Sequence, residues 1–325
     1  MYLSVVAPVY NEHDNLPLLY EAVKNALRDI RDWEFILVDD GSVDGSMDVL
    51  KEIANADPEH VKVVCLRRNF GQTAAIAAGV DHASGEIIVL MDADLQNDPV
   101  DIPRMVAKIE EGYDLVSGWR KNRQDNAMRR IPSQIANRLI CAVTGVTLHD
   151  YGCTLKAYRR EVITGFRLYG EMHRFIPAFA NSVGAKIVEM PVTHHPRKFG
   201  KANYGMERTL KVILDLFTVK FLSSYSSKPI YLFGGTGLAL SGISALVLLF
   251  LAVRRIFWGV SVMESPLFQM STMIFILGFQ SILMGLIAEL LVRAYYESQD
   301  KKTYHVRKLI NLDPKKENEN SGSHP

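Results

Sequence analysis

The chain is short of cysteine, of net charge and of any leader-like start, and each shortage removes a class of protein. It has three cysteines, Cys65, Cys141 and Cys153. Their odd number and lack of metal-like spacing exclude a disulfide framework and predict buried thiols in a reducing compartment. The formal net charge is +1 and charged residues are 22% of the chain, so the basic excess of a nucleic-acid reader is absent. Met1-Tyr2-Leu3-Ser4 runs straight into a strand-like segment, without a charged n-region or a small-residue cleavage site, so no secretory leader is expected. No Gly-x-Gly-x-x-Gly follows the first strand-like run, which argues against a nicotinamide-dependent dehydrogenase.

Apolar residues, by contrast, are plentiful and unevenly spread. They make up 48% of the 325 residues, enough for one large domain plus an appendage, and the excess lies near the C-terminus. Ile230 to Val253 is a run of 24 residues without a charge, and Ser265 to Ala288 is another. At the helical rise such a run is roughly 36 Å long, against ~30 Å of bilayer hydrocarbon. Core helices of that length rarely stay uncharged all round, so the two are read as membrane spans joined by the short segment Arg254 to Glu264. Lys220 and Lys228 precede this hairpin, and Arg293, Lys301, Lys302, Arg307 and Lys308 follow it. The basic flanks put both ends in the cytoplasm, with Arg254 and Arg255 as a dissenting minority. The expectation is a multi-pass protein of the inner or plasma membrane with its N-terminal domain in the cytoplasm.

The first 120 residues alternate strand and helix signals. Leu3 to Val9, Glu34 to Val38, Val61 to Leu66 and Glu86 to Met91 are apolar strand runs. Helical spacing links Leu16, Leu19, Val23, Ala26 and Ile30 after Asn15, and further helices are expected at about 44–55, 71–83 and from Asp101 to Glu111, closed by Gly112. The pattern predicts an α/β fold with a mostly parallel sheet covered on both faces and ligands at the strands' carboxyl ends. A strand is also read at Lys186 to Val192. From Glu207 to Ser223, Leu210, Ile213, Leu214, Phe217 and Phe221 face away from Arg208, Lys211 and Asp215, as in an interfacial amphipathic helix. The expected organisation is a catalytic domain at 1–205, the amphipathic helix at 206–228, the hairpin at 229–298 and a partly disordered cytoplasmic tail at 299–325.

Polar clusters fall at the strand ends. Pro8-Val9-Tyr10-Asn11-Glu12 follows the first strand, Asp39-Asp40-Gly41-Ser42 the second and Asp92-Ala93-Asp94-Leu95-Gln96 the fourth. Carboxylates gathered this way are costly without a cation or a ligand rich in donors. A sugar nucleotide supplies both: base and ribose donors for Asp39 and Asp40, and a diphosphate that brings a hard metal, Mg²⁺ or Mn²⁺, to oxygen ligands such as Asp94. A basic cluster, Gly118-Trp119-Arg120-Lys121-Asn122-Arg123 with Arg129-Arg130-Ile131-Pro132-Ser133, follows the fifth strand; it is either a solvated face or a phosphate site. His194 and His195 are neighbours on an extended chain, so their side chains diverge and do not form a metal pair.

Taken together, the three acidic clusters resemble the signature set of family 2 glycosyltransferases. Within that family the chain resembles the polyprenyl-phosphate branch of bactoprenol glucosyltransferases and dolichol-phosphate mannosyltransferase, over residues 3 to about 205 and in its double-span tail. The resemblance implies a GT-A fold and an inverting, metal-dependent transfer of a hexose, glucose from UDP-glucose, to a polyprenyl (undecaprenyl) phosphate. It implies donor binding by Pro8, Tyr10, Glu12, Asp39, Asp40, Asp92 and Gln96, with Asp92, Asp94 and Gln96 around the metal. It makes Arg120, Arg129 and Ser133 acceptor-phosphate ligands, with Arg130 an alternative to Arg129, and Arg197 a ligand for diphosphate or acceptor phosphate. Where the family often has Ser-Lys, this chain has Ala202-Asn203, which weakens any role the resemblance would give those positions. Asp94, Asp150, Arg120 and Arg197 are the expected catalytic set. A phosphate acceptor is already a competent nucleophile, so Asp150 either orients acceptor or sugar or is a turn aspartate. A polysaccharide synthase is disfavoured by having only two spans and no Gln-x-x-Arg-Trp. A non-catalytic membrane scaffold has no reason to keep self-repelling carboxylates together. Self-association into a homo-oligomer is left open.

Overall fold

A computed structural model describes residues 1–30, 32–121, 141, 144–165, 172–196, 230–259, 261, 265–298 and 303–312. They form two units, one of 1–219 with 301–325 and one of 220–300. The sequence-predicted amphipathic helix, and with it Arg129, Arg130, Ser133 and Arg197, lies outside the described residues.

The first unit is built on eight strands: β1 (Leu3–Val9), β2 (Trp33–Asp39), β3 (Val61–Leu66), β4 (Ile87–Leu90), β5 (Leu115–Trp119), β6 (Lys156–Arg159), β7 (Ile187–Pro191) and β8 (Val306–Ile310). Their order is β7-β5-β6-β4-β1-β2-β3-β8. The central strands pair in parallel, β4 with β1, β1 with β2 and β2 with β3, and β5 pairs in parallel with β7. β6 runs antiparallel between β4 and β5, and β8 runs antiparallel along β3. Every residue of β2 is buried, as expected of a strand covered on both faces. The covering helices include α1 (Leu16–Leu27), α2 (Ser46–Ala56), α3 (Gln72–His82) and α4 (Ile102–Glu110). In α4, Ile102, Met105, Val106 and Ile109 are buried at helical spacing, which fixes the face it turns to the core. In α3 a Cβ on Gly79 would collide with Val6, so glycine lets this helix lie against β1. Two shorter helices follow β6, α5 (Arg160–Thr164) and α6 (Ile176–Ser182).

The C-terminal segment corrects the sequence reading. Residues 299–325 were expected to be a tail, yet Val306–Ile310 is the edge strand of the catalytic sheet. Val306, Leu309 and Ile310 are its half-buried apolar side chains, while Arg307 and Lys308 stay exposed and blunt the outer edge.

The second unit is a helical hairpin of α7 (Ile230–Trp258) and α8 (Pro266–Ser298). Phe233–Phe257 and Pro266–Ala288 are long and apolar enough to cross a membrane, and few of their residues are buried. Arg254 and Arg255, expected in the connecting loop, are instead in the last turns of α7, where cations complement the helix carboxyl end. The helices meet through small residues. A Cβ on Gly237 would lie 2.5 Å from the Gly278 carbonyl oxygen, and Ser281 Oγ donates to the Phe233 carbonyl at 2.9 Å.

Candidate active site

Because β4, β1 and β2 are neighbours, the three acidic turns leave adjacent carboxyl ends. The first two turns are zipped together. Asn11, left-handed at φ 57°, accepts from the Val43 amide through Oδ1 at 2.9 Å and donates its own amide to Ser42 Oγ at 3.0 Å. The Glu12 amide donates to Ser46 Oγ at 3.0 Å, and the His13 amide to Asp44 Oδ2 at 3.1 Å. Asn15 Nδ2 donates to the Glu12 carboxylate. Pro8 is half-buried, whereas Tyr10 is exposed at the mouth.

Asp39 and Asp40, expected to act alike, differ. Asp40 accepts from the Phe70 amide at 2.7 Å through Oδ1 and from the Gly71 amide at 2.9 Å through Oδ2. It fastens the 67–71 loop, and burial raises its pKa against the pull of those two donors. Asp39 accepts from the Ser42 amide at 3.1 Å through Oδ1 alone, and its Oδ2 takes no hydrogen bond from the described residues. Gly41 makes the arrangement fit: its φ is +74°, and a Cβ there would sit 2.7 Å from the Arg68 carbonyl carbon and the Asn69 nitrogen.

In the third turn, Asp92 accepts from Gln72 Nε2 at 2.8 Å and from Thr154 Oγ1 at 2.5 Å. Loss of solvent, and then the Asp94 charge, push its carboxyl above the usual range, with the Thr154 hydroxyl and then Arg120 and Lys156 pulling the other way. Asp94 is buried and accepts from the Gln96 amide at 3.1 Å through Oδ1. Between them and Gln96, Leu95 has φ 59°, a strained conformation for a residue with a branched side chain. A pair of crowded acids that resist sharing negative charge fits a hard divalent cation with oxygen ligands. Among the described residues no cluster of three or more His, Cys, Asp or Glu side chains is arranged to hold a metal. Gln96 is engaged through its backbone: its carbonyl accepts from the His195 amide at 2.8 Å and lies 3.0 Å from His194 Nδ1. His195 pairs with Asp98 at 2.9 Å. The two histidines therefore point to different partners and tie the exit of β7 to the acidic turn.

On the basic side an acid holds the guanidinium. Arg120 is an expected acceptor-phosphate ligand, but Nε donates to Asp150 Oδ2 at 2.7 Å and Nη2 to Asp150 Oδ1 at 2.9 Å. Burial alone would lower the Arg120 pKa; the Asp150 hydrogen bonds and charge outweigh it and raise it. Both oxygens of Asp150 are thus bound by the guanidinium. Glu189 holds the turn from β7, accepting from the Asp150 amide at 3.0 Å and pairing with His149 at 2.7 Å. His149 stacks on Trp119 with ring centroids 4.4 Å apart. Beneath the turn is Lys156, buried, donating to the Tyr151 carbonyl at 3.3 Å and to the Cys153 carbonyl. Sequence reasoning missed Gln72, Thr154, Lys156 and Glu189 as supports. Gln72 and Thr154 are neutral, and the packing of elements distant in sequence brings the four to the site.

An open-edged, mostly parallel sheet with metal-suited acids at adjacent carboxyl ends is the GT-A fold. Its solved likenesses include glucosyl-3-phosphoglycerate synthase from Mycobacterium tuberculosis in complex with Mn²⁺, UDP and phosphoglyceric acid. That match has a TM-score of 0.52 and 21% identity, covering 67% of this chain and 78% of that one. The chain belongs to glycosyl transferase family 2, whose model matches residues 4–166, and it is a glycosyltransferase. It is 44% identical to dodecaprenyl-phosphate galacturonate synthase of Rhizobium johnstonii over 95% of this chain and 93% of that protein. It is 40% identical, over 95% of this chain and 93% of that protein, to undecaprenyl-phosphate 4-deoxy-4-formamido-L-arabinose transferase of Klebsiella pneumoniae.

Proposed function

We propose that this glycosyltransferase moves a sugar from a UDP-linked donor to a polyprenyl phosphate at the cytoplasmic face of a bilayer, with inversion at the anomeric carbon. The observation that carries the reading is its likeness, across the hairpin as well as the sheet domain, to two enzymes named for polyprenyl-phosphate substrates. Both relatives are named for a sugar other than glucose, so a galacturonate-like or formamido-pentose donor is favoured over UDP-glucose.

In this reading the Asp39 carboxylate, Pro8 and the exposed Tyr10 receive base and ribose, Glu12 braces their turn and Asp40 acts one step removed. Asp94 and Asp92, with Gln96 beside them, would hold Mg²⁺ or Mn²⁺, which when bound would neutralise charge on the departing diphosphate. The second ionisation of a phosphate monoester lies near pH ~6, so the acceptor oxygen attacks without a protein base. That oxygen forms a bond to the anomeric carbon as the carbon–oxygen bond to UDP breaks. Asp150 aims Arg120, whose Nη1 is left to meet phosphate, and Arg129, Arg130, Ser133 and Arg197 are assigned to acceptor phosphate or diphosphate from the sequence. α7 and α8 serve as two membrane spans that bring this site to the headgroup layer, with both chain ends on the cytoplasmic side.

The test is a donor panel on the purified full chain with Mn²⁺, scored by lipid-linked product. UDP-glucose, UDP-galacturonate and UDP-4-deoxy-4-formamido-L-arabinose are compared with and without undecaprenyl phosphate. UDP release that rises only when the lipid is present is the expected result. Release indifferent to the lipid with every donor overturns the reading.

A further inference from the structure

The chain beyond the hairpin makes more contacts than an edge strand requires, and they converge on one loop. Residues 67–71 link β3 to α3, and Arg67, Arg68 and Asn69 are exposed. On its inner side the loop hangs from Asp40, through the Phe70 and Gly71 amides, and touches Gly41. On its outer side the Arg67 amide donates to the His305 carbonyl at 3.0 Å, and the His305 ring lies 6.1 Å from the Phe70 ring at a tilt of 55°. The preceding residue, Tyr304, is 2% exposed and donates its hydroxyl to Asp81 Oδ2 at 2.8 Å, on the helix whose first residue, Gln72, reaches Asp92.

The strand is pinned at its other end as well. Asn311, left-handed at φ 58°, donates through Nδ2 to the Ala54 carbonyl at 2.8 Å and the Val61 carbonyl at 3.0 Å. The β3–β8 register shifts between Cys65 and Leu66, where Lys308 and Val306 are the partners. Arg307 is the extra residue at that shift, as in a β-bulge, a feature that raises local twist.

We propose that β8 and the two residues before it form a strap that sets the position of the 67–71 loop for nucleotide binding, with His305 and Tyr304 as its positioning residues. The proposal rests on the reading of the Asp39–Asp40 turn as the nucleotide side of the site. Neither strap residue touches the nucleotide. His305 presses on Phe70, Phe70 and Gly71 are bound to Asp40, and Asp40 adjoins Asp39.

The experiment measures UDP affinity, in the presence of Mn²⁺, by calorimetry on the full chain in detergent, well below its melting temperature. UDP is used because its binding is independent of the sugar. His305→Ala keeps the main-chain bond to Arg67 and removes only the ring, and Tyr304→Phe removes only the hydroxyl. Each is expected to weaken UDP binding about fivefold or more. His305→Phe, which restores a ring against Phe70, is expected to recover the affinity to within about twofold. Asp39→Asn is the control for the nucleotide side. If Asp39→Asn weakens UDP while both strap variants bind normally, with or without a fall in melting temperature, the strap is only an edge strand and the proposal is overturned. If Asp39→Asn and the strap variants all bind UDP normally, the nucleotide-side reading fails and takes the proposal with it.

Discussion

Arg120 and Asp150 have side-chain exposures of only 14% and 6%, so their ion pair is a structural commitment as well as a chemical one. Breaking a pair this poorly solvated by removing one partner costs about 3–5 kcal/mol. Arg120→Ala and Asp150→Ala are each expected to lower stability by about 3 kcal/mol, and the double variant by clearly less than their sum. Thermal melts of the full chain measure this; strict additivity would show that the pair is not coupled. Asp94→Asn is a different case. It should reduce transfer by about a hundredfold or more while the melting temperature and membrane insertion hold, and chelation of the metal should mimic it. Turnover retained in Asp94→Asn would remove Asp94 from the metal shell. At this scale the sequence was most informative where charge was concentrated: Asp92 and Asp94 stand out because two acids in one turn are costly. It could not separate Asp39 from Asp40, since the difference lies in the Phe70 and Gly71 amides that a distant loop brings to one of them.

Among the elements, the parallel centre of the sheet was readable because β1 to β4 are apolar runs separated by helices at ordinary spacing. β6 was hidden inside a polar motif, being four residues long with Lys156 and Arg159 at its ends. β8 was hidden for another reason: Arg307 and Lys308 read as the basic flank of a membrane hairpin, and its partner strand is far away in sequence. The turn between β2 and α2 supplies a test of how tightly elements are joined at the site. In Gly41→Ala the added carbon meets main chain at 2.7 Å and the residue must keep φ +74°, so neither neighbour yields cheaply. The variant should lose more than about 1 kcal/mol of stability and bind UDP more weakly than the parent. Unchanged melting and binding would mean that the loop relaxes around a side chain without consequence. In the hairpin, Gly278→Leu should drive α7 and α8 apart where a Cβ already collides with Ser241 and the Gly237 carbonyl, lowering thermal stability in detergent.

For the whole molecule, the proposed pair of spans predicts that the chain stays in the membrane pellet after alkaline carbonate extraction; release into the supernatant would argue that α7 and α8 are not inserted. A chain ending at Ser298 keeps the hairpin and loses β8, leaving β3 with an open edge, and should aggregate or melt earlier than the full chain. The position of β8 also sets the order in which this protein is completed during synthesis. β3 leaves the ribosome roughly 240 residues before the strand that covers it, an interval of about 10–50 s at typical rates of translation. The apolar hairpin is made only in the last third of that time, while β3 waits with one edge unpaired. Closure of the sheet is therefore a late event that follows synthesis of both apolar helices, so a ribosome stalled within the hairpin leaves behind a domain already exposed to strand-to-strand association.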